Sequence, residues 1–287
     1  MHRFLLHNDT IRDASEPCLS PGQVALMTGW GVFSTMRVSR GVLFEYPRHF
    51  ARMQRDARLT HVPMPEDPAK LEDALLRLLD ANQAFDATLR VNILRNNGGV
   101  FSTAHDRPYD IVAFTSSLMN WGESVRLGVV EQARHGANVF AGTKVTSWGF
   151  NLTWHEQAHL DGFDEVVLLD ETGGVSECTS ANIFAVFGND IVTPPLSSGC
   201  LPGITRELLL RDISCAPFAV TERAFPLKDL YSADSVFITS TTRDVLPVWE
   251  VDSKPVRQKP ELIAALQQNF REYLAGYVAK HTPALSR

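Results

Sequence analysis

Along the chain, apolar residues alternate with polar ones in some stretches and recur every three to four positions in others. The two periods mark strands and helices. Val32-Phe-Ser-Thr-Met-Arg-Val38 and Val42-Leu-Phe-Glu45 are strand-like and are joined by Ser39-Arg40-Gly41, which predicts an antiparallel pairing. From Pro47 to about Thr60 the period becomes helical. Asp67-Pro68 then caps and opens a second helix, with Leu71, Leu75, Leu78 and Leu79 at helical spacing. Strand patterns return at Thr88 to Arg95 and Asp110 to Thr115, and Ser116 to Ser124 loses all periodicity. A linker is therefore expected at 119–125, between a small domain, 1–118, and a larger one, 126–287.

The second half opens with a strand near Val125 to Val130 and reaches Lys144 through a Gly- and Ala-containing stretch, Gly136 to Gly142. A helix is expected from about Asn151 to Leu160, then an apolar strand, Asp164 to Asp170. Thr172-Gly-Gly174 turns that strand into Val175 to Phe187, within which strict alternation would put Val175, Glu177 and Thr179 on one face. Leu201-Pro-Gly-Ile-Thr-Arg206 punctuates the chain before another helix. Ser235 to Thr239 is a strand, and Leu262, Ile263, Leu266, Phe270 and Leu274 mark a carboxy-terminal amphipathic helix.

Composition narrows the class. The 287 residues exceed one average core, and two domains leave room for a cleft. With 44% hydrophobic and 21% charged residues the chain reads as globular, and its net charge of −6 opposes general attraction to nucleic acid or an anionic membrane. Cys18, Cys178, Cys200 and Cys215 are far apart and have no metal-ligand spacing, so neither a metal nor a disulfide framework is expected. The first ten residues lack the apolar stretch of a signal peptide, and no run approaches a membrane span, which gives a cytoplasmic expectation.

The chain has no phosphate loop of the Walker type and no G-x-G-x-x-G. Taken singly, Lys144, Glu177, Arg52, Arg90 and Arg95 would be solvated surface charges, because charged side chains are seldom buried without partners. Their order along the chain overturns that reading. Lys144 is followed by Gly162-Phe-Asp-Glu-Val-Val-Leu-Leu-Asp170, Val175-Ser-Glu-Cys-Thr-Ser-Ala-Asn-Ile-Phe184, Thr193-Pro-Pro195, Leu201-Pro-Gly-Ile-Thr-Arg206 and Thr239-Ser-Thr-Thr242 with Pro247-Val248. From about Gly29 to Val248 this series resembles the class IV aminotransferase superfamily, the fold type IV pyridoxal-phosphate enzymes. That family includes branched-chain and D-amino-acid aminotransferases and aminodeoxychorismate lyase.

The resemblance implies an α/β fold of the α+β type, with a small antiparallel-sheet amino-terminal domain and a larger domain built on a barrel-like sheet. It implies pyridoxal 5'-phosphate as cofactor and Lys144 as the lysine that carries it, an amine able to condense with an aldehyde and then to shuttle a proton. Glu177 matches the acid that keeps the cofactor's ring nitrogen protonated. Arg52, in His49-Phe-Ala-Arg52, matches the phosphate arginine. Ile204, Thr205 and Thr242 match the phosphate cup, and Leu201 matches the apolar residue against the ring. Arg90 matches the substrate arginine of branched-chain enzymes and Arg95 that of D-amino-acid enzymes. The two lie an odd number of residues apart on one strand, so at most one would face the site.

Phe33-Ser-Thr35 departs from the Phe-Glu of many transaminases and is similar to the Phe-Thr-Thr of some lyases, which makes Thr35 a substrate-side candidate. Trp148-Gly149 stands where branched-chain enzymes have Asn-Tyr. The implied reaction moves an α-amino group between an amino acid, branched-chain among the candidates, and a 2-oxo acid. One alternative is aminodeoxychorismate lyase, which forms 4-aminobenzoate and pyruvate in the folate pathway. The other is a pyridoxal-phosphate-binding protein without turnover. The family pattern also implies a homodimer.

Overall fold

The computed structural model describes residues 1–99 and 106–282, so residues 283–287 of the expected large domain lie outside the described residues. The chain divides into two compact units. The first comprises Met1–Met119, Lys144–Trp148 and Gly276–Arg287, and the second Asn120–Thr143 and Gly149–Ala275. Lys144 thus sits in a five-residue return of the chain to the first unit.

The first unit begins with a hairpin that the sequence reading passed over, β1 (Phe4–His7) with β2 (Thr10–Asp13). Four-residue strands are too short for period two to stand out, and the turn depends on Asn8 at a φ of 57°. After a short helix α1 (Val24–Thr28) come β3 (Gly31–Ser39), β4 (Val42–Leu43), α2 (Tyr46–Leu59), α3 (Pro68–Asn82), β5 (Ala87–Arg95) and β6 (Tyr109–Ser116). The strands form a six-stranded sheet in the order β2-β1-β6-β5-β3-β4, with every pairing antiparallel.

Alternation decides which face is buried. Val32, Met36 and Val38 of β3 and Leu89, Val91 and Ile93 of β5 join Phe50, Met53 and Ala57 of α2 and Leu71, Leu75, Leu78 and Leu79 of α3 in one core. Each such aliphatic side chain contributes about 1.5–3 kcal/mol on burial. The other parity, Phe33 and Thr35 on β3 and Arg90 and Asn92 on β5, takes the opposite face, and the register sets Phe33 across from Asn92 and Thr35 across from Arg90. The expected cap of α3 is present, with Asp67 accepting from the amides of Ala69 at 2.9 Å and Lys70 at 3.3 Å.

The second unit contains β7 (Val125–Arg134), α4 (Gly149–Leu160), β8 (Glu165–Asp170), β9 (Val175–Cys178), β10 (Asn182–Phe187), β11 (Asp190–Thr193), α5 (Ile204–Arg211), β12 (Ala219–Glu222), α6 (Leu227–Ser232), β13 (Ser235–Ser240), β14 (Asp244–Val251) and β15 (Lys254–Pro255). The carboxy-terminal helix α7 (Pro260–His281) follows. The nine strands make a curled mixed sheet in the order β12-β11-β10-β13-β14-β7-β8-β9, with β15 beside β14. β7 is parallel to both its neighbours, β14 and β8. The small antiparallel sheet and the larger curled sheet are the architecture expected from the sequence.

Two expectations for Val175 to Phe187 need correction. The stretch is not one strand, because Thr179 to Ala181 breaks it into β9 and β10. Nor does strict alternation hold along β9. Its pairing with β8 slips between Leu168 and Leu169, and Val175 and Cys178, three residues apart, both enter the unit's core. A bulge of this kind re-aims side chains, and here it takes Glu177 off the Val175 face.

Candidate active site

In the first unit, Lys144 is fixed by its backbone. Its carbonyl accepts from the Phe33 amide at 3.0 Å, and its own amide donates to Asp56 Oδ2 at 3.0 Å. Asp56 lies on α2 and is also bound by Arg55. The next residue, Val145, bridges to Val32, so the lysine segment runs as a short extra strand along the start of β3. The Lys144 ammonium nitrogen lies 4.7 Å from the centre of the Phe33 ring.

The same ring carries Arg90, whose guanidinium carbon is 3.8 Å from its centre. Arg90 Nε donates to Asn92 Oδ1 at 3.2 Å, and burial pushes the guanidinium's pKa below the usual arginine value. Trp148 meets Phe33 edge-on, with centroids 6.0 Å apart. Thr35 lies beside Arg90 in the sheet. Arg95 goes elsewhere. Its guanidinium covers Trp30 at 4.1 Å and donates to the Asn97 carbonyl at 2.6 Å and to the His61 carbonyl. Lys144, Arg90, Phe33 and Trp148 are thus brought together, and Arg95 is not among them.

Arg52 comes from α2 and is 8% exposed. Its Nη2 donates to Ser34 Oγ at 3.0 Å, and Ser34 Oγ lies 2.7 Å from Nδ1 of His49, one turn earlier on the helix. Burial, then the charges of Arg52 and Lys144, push the His49 imidazole well below its ordinary pKa.

In the second unit, Glu177 meets the requirement that a largely buried carboxylate be compensated. Oε1 accepts from Arg134 Nε at 2.8 Å, and Oε2 accepts from the Leu201 amide at 2.9 Å. Arg134 ends β7 and also reaches the Ala133 carbonyl and Asn151. Leu201 is held in turn, its carbonyl accepting from Asn182 Nδ2 at 2.8 Å.

Ile204 and Thr205 open α5 and are both buried. The residue before them, Gly203, is the N-cap and provides no side-chain cap, so the first-turn amides are left to another acceptor. A Cβ at Gly203 would stand 2.0 Å from Asn182 Oδ1, and that approach requires glycine. Thr242 lies in the turn between β13 and β14, with its hydroxyl 3.4 Å from that of Ser240. Arg134, Asn182, Ser34 and Asp56 were not anticipated. Asn182 and Ser34 stand inside quoted segments but were given no role there, and Arg134 lies 43 residues from its carboxylate.

The small antiparallel sheet and the larger curled sheet are the fold of the type IV pyridoxal-phosphate enzymes. The chain belongs to the class IV aminotransferase family, whose pattern it matches over residues 31–251. A Methanocaldococcus jannaschii protein, provisionally named a branched-chain-amino-acid aminotransferase, is 28% identical over 92% of this chain and 94% of its own. The D-alanine aminotransferase of Bacillus licheniformis is 26% identical over 88% of this chain and 89% of its own. Among solved structures, the T.th. branched-chain amino acid aminotransferase with pyridoxamine 5'-phosphate superposes with a TM-score of 0.87. It is 25% identical and covers 96% of this chain and 95% of its own. Pyridoxal phosphate is the family's cofactor, and the chain is a pyridoxal-phosphate-dependent transaminase.

Proposed function

We propose that this transaminase exchanges the amino group of a branched-chain or similarly apolar amino acid with a 2-oxo acid, with Lys144 as the cofactor lysine and Arg90 as the carboxylate-binding residue. The observation that carries this reading is the sharing of the Phe33 ring by the Lys144 amine and the Arg90 guanidinium. The amine is the base needed at Cα, and a half-buried guanidinium beside it takes a carboxylate bidentately. Phe33 and Trp148 supply apolar surface for the side chain and exclude water.

The other residues suit the cofactor. In the first unit Arg52 offers a cation, and in the second the uncapped start of α5 with Thr205, and Thr242, offer amides and hydroxyls, the kinds of group a phosphate needs. Ile204 and Leu201 bring apolar surface to the ring. Glu177, paired with Arg134, would hold a proton at the pyridine nitrogen. When bound, pyridoxal phosphate supplies an aldehyde and a ring that takes up the electron pair left at Cα. Lys144 Nζ would accept the Cα proton and later give it back.

Lys144→Ala should lose all turnover and should no longer become covalently labelled on borohydride reduction, while keeping its fold. Label recovered on another lysine overturns the assignment. A panel of L- and D-amino acids, scored for 2-oxo acid formed against pyruvate eliminated, separates the transaminase from the lyase reading.

We further propose a homodimer working in the cytoplasm. Phe150, Leu152 and Leu160 on α4 are exposed, as are Val139 and Phe140, and a second copy would cover them. Light scattering gives the mass. A monomer at micromolar concentration would refute the pairing. No helix among the described residues is long and apolar enough to cross a membrane.

A further inference from the structure

The family pattern in this chain has serine where many transaminases have glutamate, and the serine is not idle. Ser34 and His49 are both 0% exposed, on the face of β3 that packs against α2, with Arg52 one helical turn beyond His49. Ser34 Oγ has one proton to give. It accepts from Arg52 Nη2 at 3.0 Å and lies 2.7 Å from His49 Nδ1, which takes the hydroxyl proton when the imidazole carries its own proton on Nε2. In that arrangement the imidazole is neutral. Burial and the adjacent cations enforce that state. Nε2 has no hydrogen-bond partner among the described residues. A leucine in the same space would avoid leaving a buried donor unmet, so packing alone does not explain a histidine here.

We propose that Ser34 is a positioning residue for the phosphate arginine, a hydroxyl relay from Arg52 to the neutral His49 that holds the guanidinium in one orientation before the cofactor arrives. The inference rests on the reading of Arg52 as a phosphate ligand. The physical basis is conformational. A long arginine side chain loses much rotamer freedom on binding, and a fixed acceptor removes part of that loss beforehand.

The test is a double-mutant cycle on the apoenzyme, reading the dissociation constants of pyridoxal phosphate and of phosphate-free pyridoxal. Ser34→Ala should weaken pyridoxal phosphate about tenfold, in line with loss of a hydrogen bond to a charged group. It should leave pyridoxal unchanged, which also serves as the check on folding. In an Arg52→Ala background the same change should add less than about twofold. His49→Asn, which keeps an acceptor at the Nδ1 position, should stay near wild type, and His49→Gln should behave like Ser34→Ala.

If Arg52→Ala weakens pyridoxal phosphate but Ser34→Ala does not, the relay is wrong. It is equally wrong if Ser34→Ala weakens both ligands alike or acts fully in both backgrounds. If Arg52→Ala itself leaves the affinity unchanged, the phosphate reading falls first and takes the relay with it.

Discussion

Replacing Arg134 by methionine keeps an apolar stem near Trp154 and deletes the cation 2.8 Å from Glu177 Oε1. The side chains are 17% and 10% exposed, so solvent screens the pair only partly. At about 4 Å between charge centres and an effective dielectric of about 20, the attraction is about 4 kcal/mol. Breaking a buried pair from one side typically costs about 3–5 kcal/mol, because the remaining charge is stranded. Glu177 keeps the Leu201 amide at 2.9 Å on its other oxygen, which places the expected loss at the lower end, about 3 kcal/mol.

For 287 residues the unfolding entropy is about 0.6 kcal/mol/K, so the apoenzyme's melting point should fall by about 5 °C, and by more if the second unit melts alone. The double variant Arg134→Met/Glu177→Gln carries neither charge and should recover most of that loss. Pyridoxal phosphate should raise the melting point of Arg134→Met more than that of the wild type, since its protonated ring would restore a partner for the carboxylate. The assay is thermal unfolding with and without cofactor. An Arg134→Met apoenzyme that melts with the wild type, or a double variant no better than the single one, would show that Arg134 does not compensate Glu177.

Glu177→Gln should still bind the cofactor but lose roughly 10²–10³ in rate, about 3–4 kcal/mol, in steady-state assays; near-normal turnover contradicts its role at the ring nitrogen. Arg90→Ala should raise KM for amino and oxo acids at least about tenfold while Arg95→Ala leaves KM nearly unchanged, and the reverse result would assign the substrate to Arg95. Acid should destabilise the second unit through Glu165, 1% exposed at its side chain. Burial alone would raise this carboxyl, but His155, Arg243, the Thr179 hydroxyl and the Val166 amide outweigh it and hold it down to about 2, against 4.5 ordinarily. The folded pKa is the lower one, so the group's stabilisation, about 3 kcal/mol, is complete above about pH 5 and lost as the pH falls toward 2. Urea midpoints measured across that window should slope in the wild type and flatten in Glu165→Gln; parallel curves would remove Glu165 from the account.

Much of the fold was legible because its signals are local. The helix predicted from Pro47 to about Thr60 is α2, the Asp67 cap and the leucines that follow it are α3, and the strand expected at Thr88 to Arg95 is all of β5 but its first residue. Each depends on periodicity or on a side chain reaching a backbone amide two or three residues away. The β1–β2 hairpin left no such trace, and neither did the slip in β9. A bulge is set by pairing with another strand, and Val175 with Cys178 in the core betrays no fault in the sequence between them.

The candidate site divides in the same way. The order of Lys144, Glu177, the Leu201-Pro-Gly-Ile-Thr205 run and Thr242 was enough to recognise the family, because those residues sit in short segments whose spacing survives at low identity. The odd spacing of Arg90 and Arg95 also dictated that they diverge. Which of them joins the lysine was decided only by tertiary structure, since the answer depends on Phe33, Trp30 and the return of the chain at Lys144–Trp148. Arg134 beside Glu177, and Ser34 between Arg52 and His49, were likewise invisible. Compensating a buried charge takes only one donor at about 2.8 Å, and that donor can arrive from any distant part of the chain. Local sequence specifies elements and motif order, whereas the partners that tune the chemistry are chosen by which elements the fold packs together.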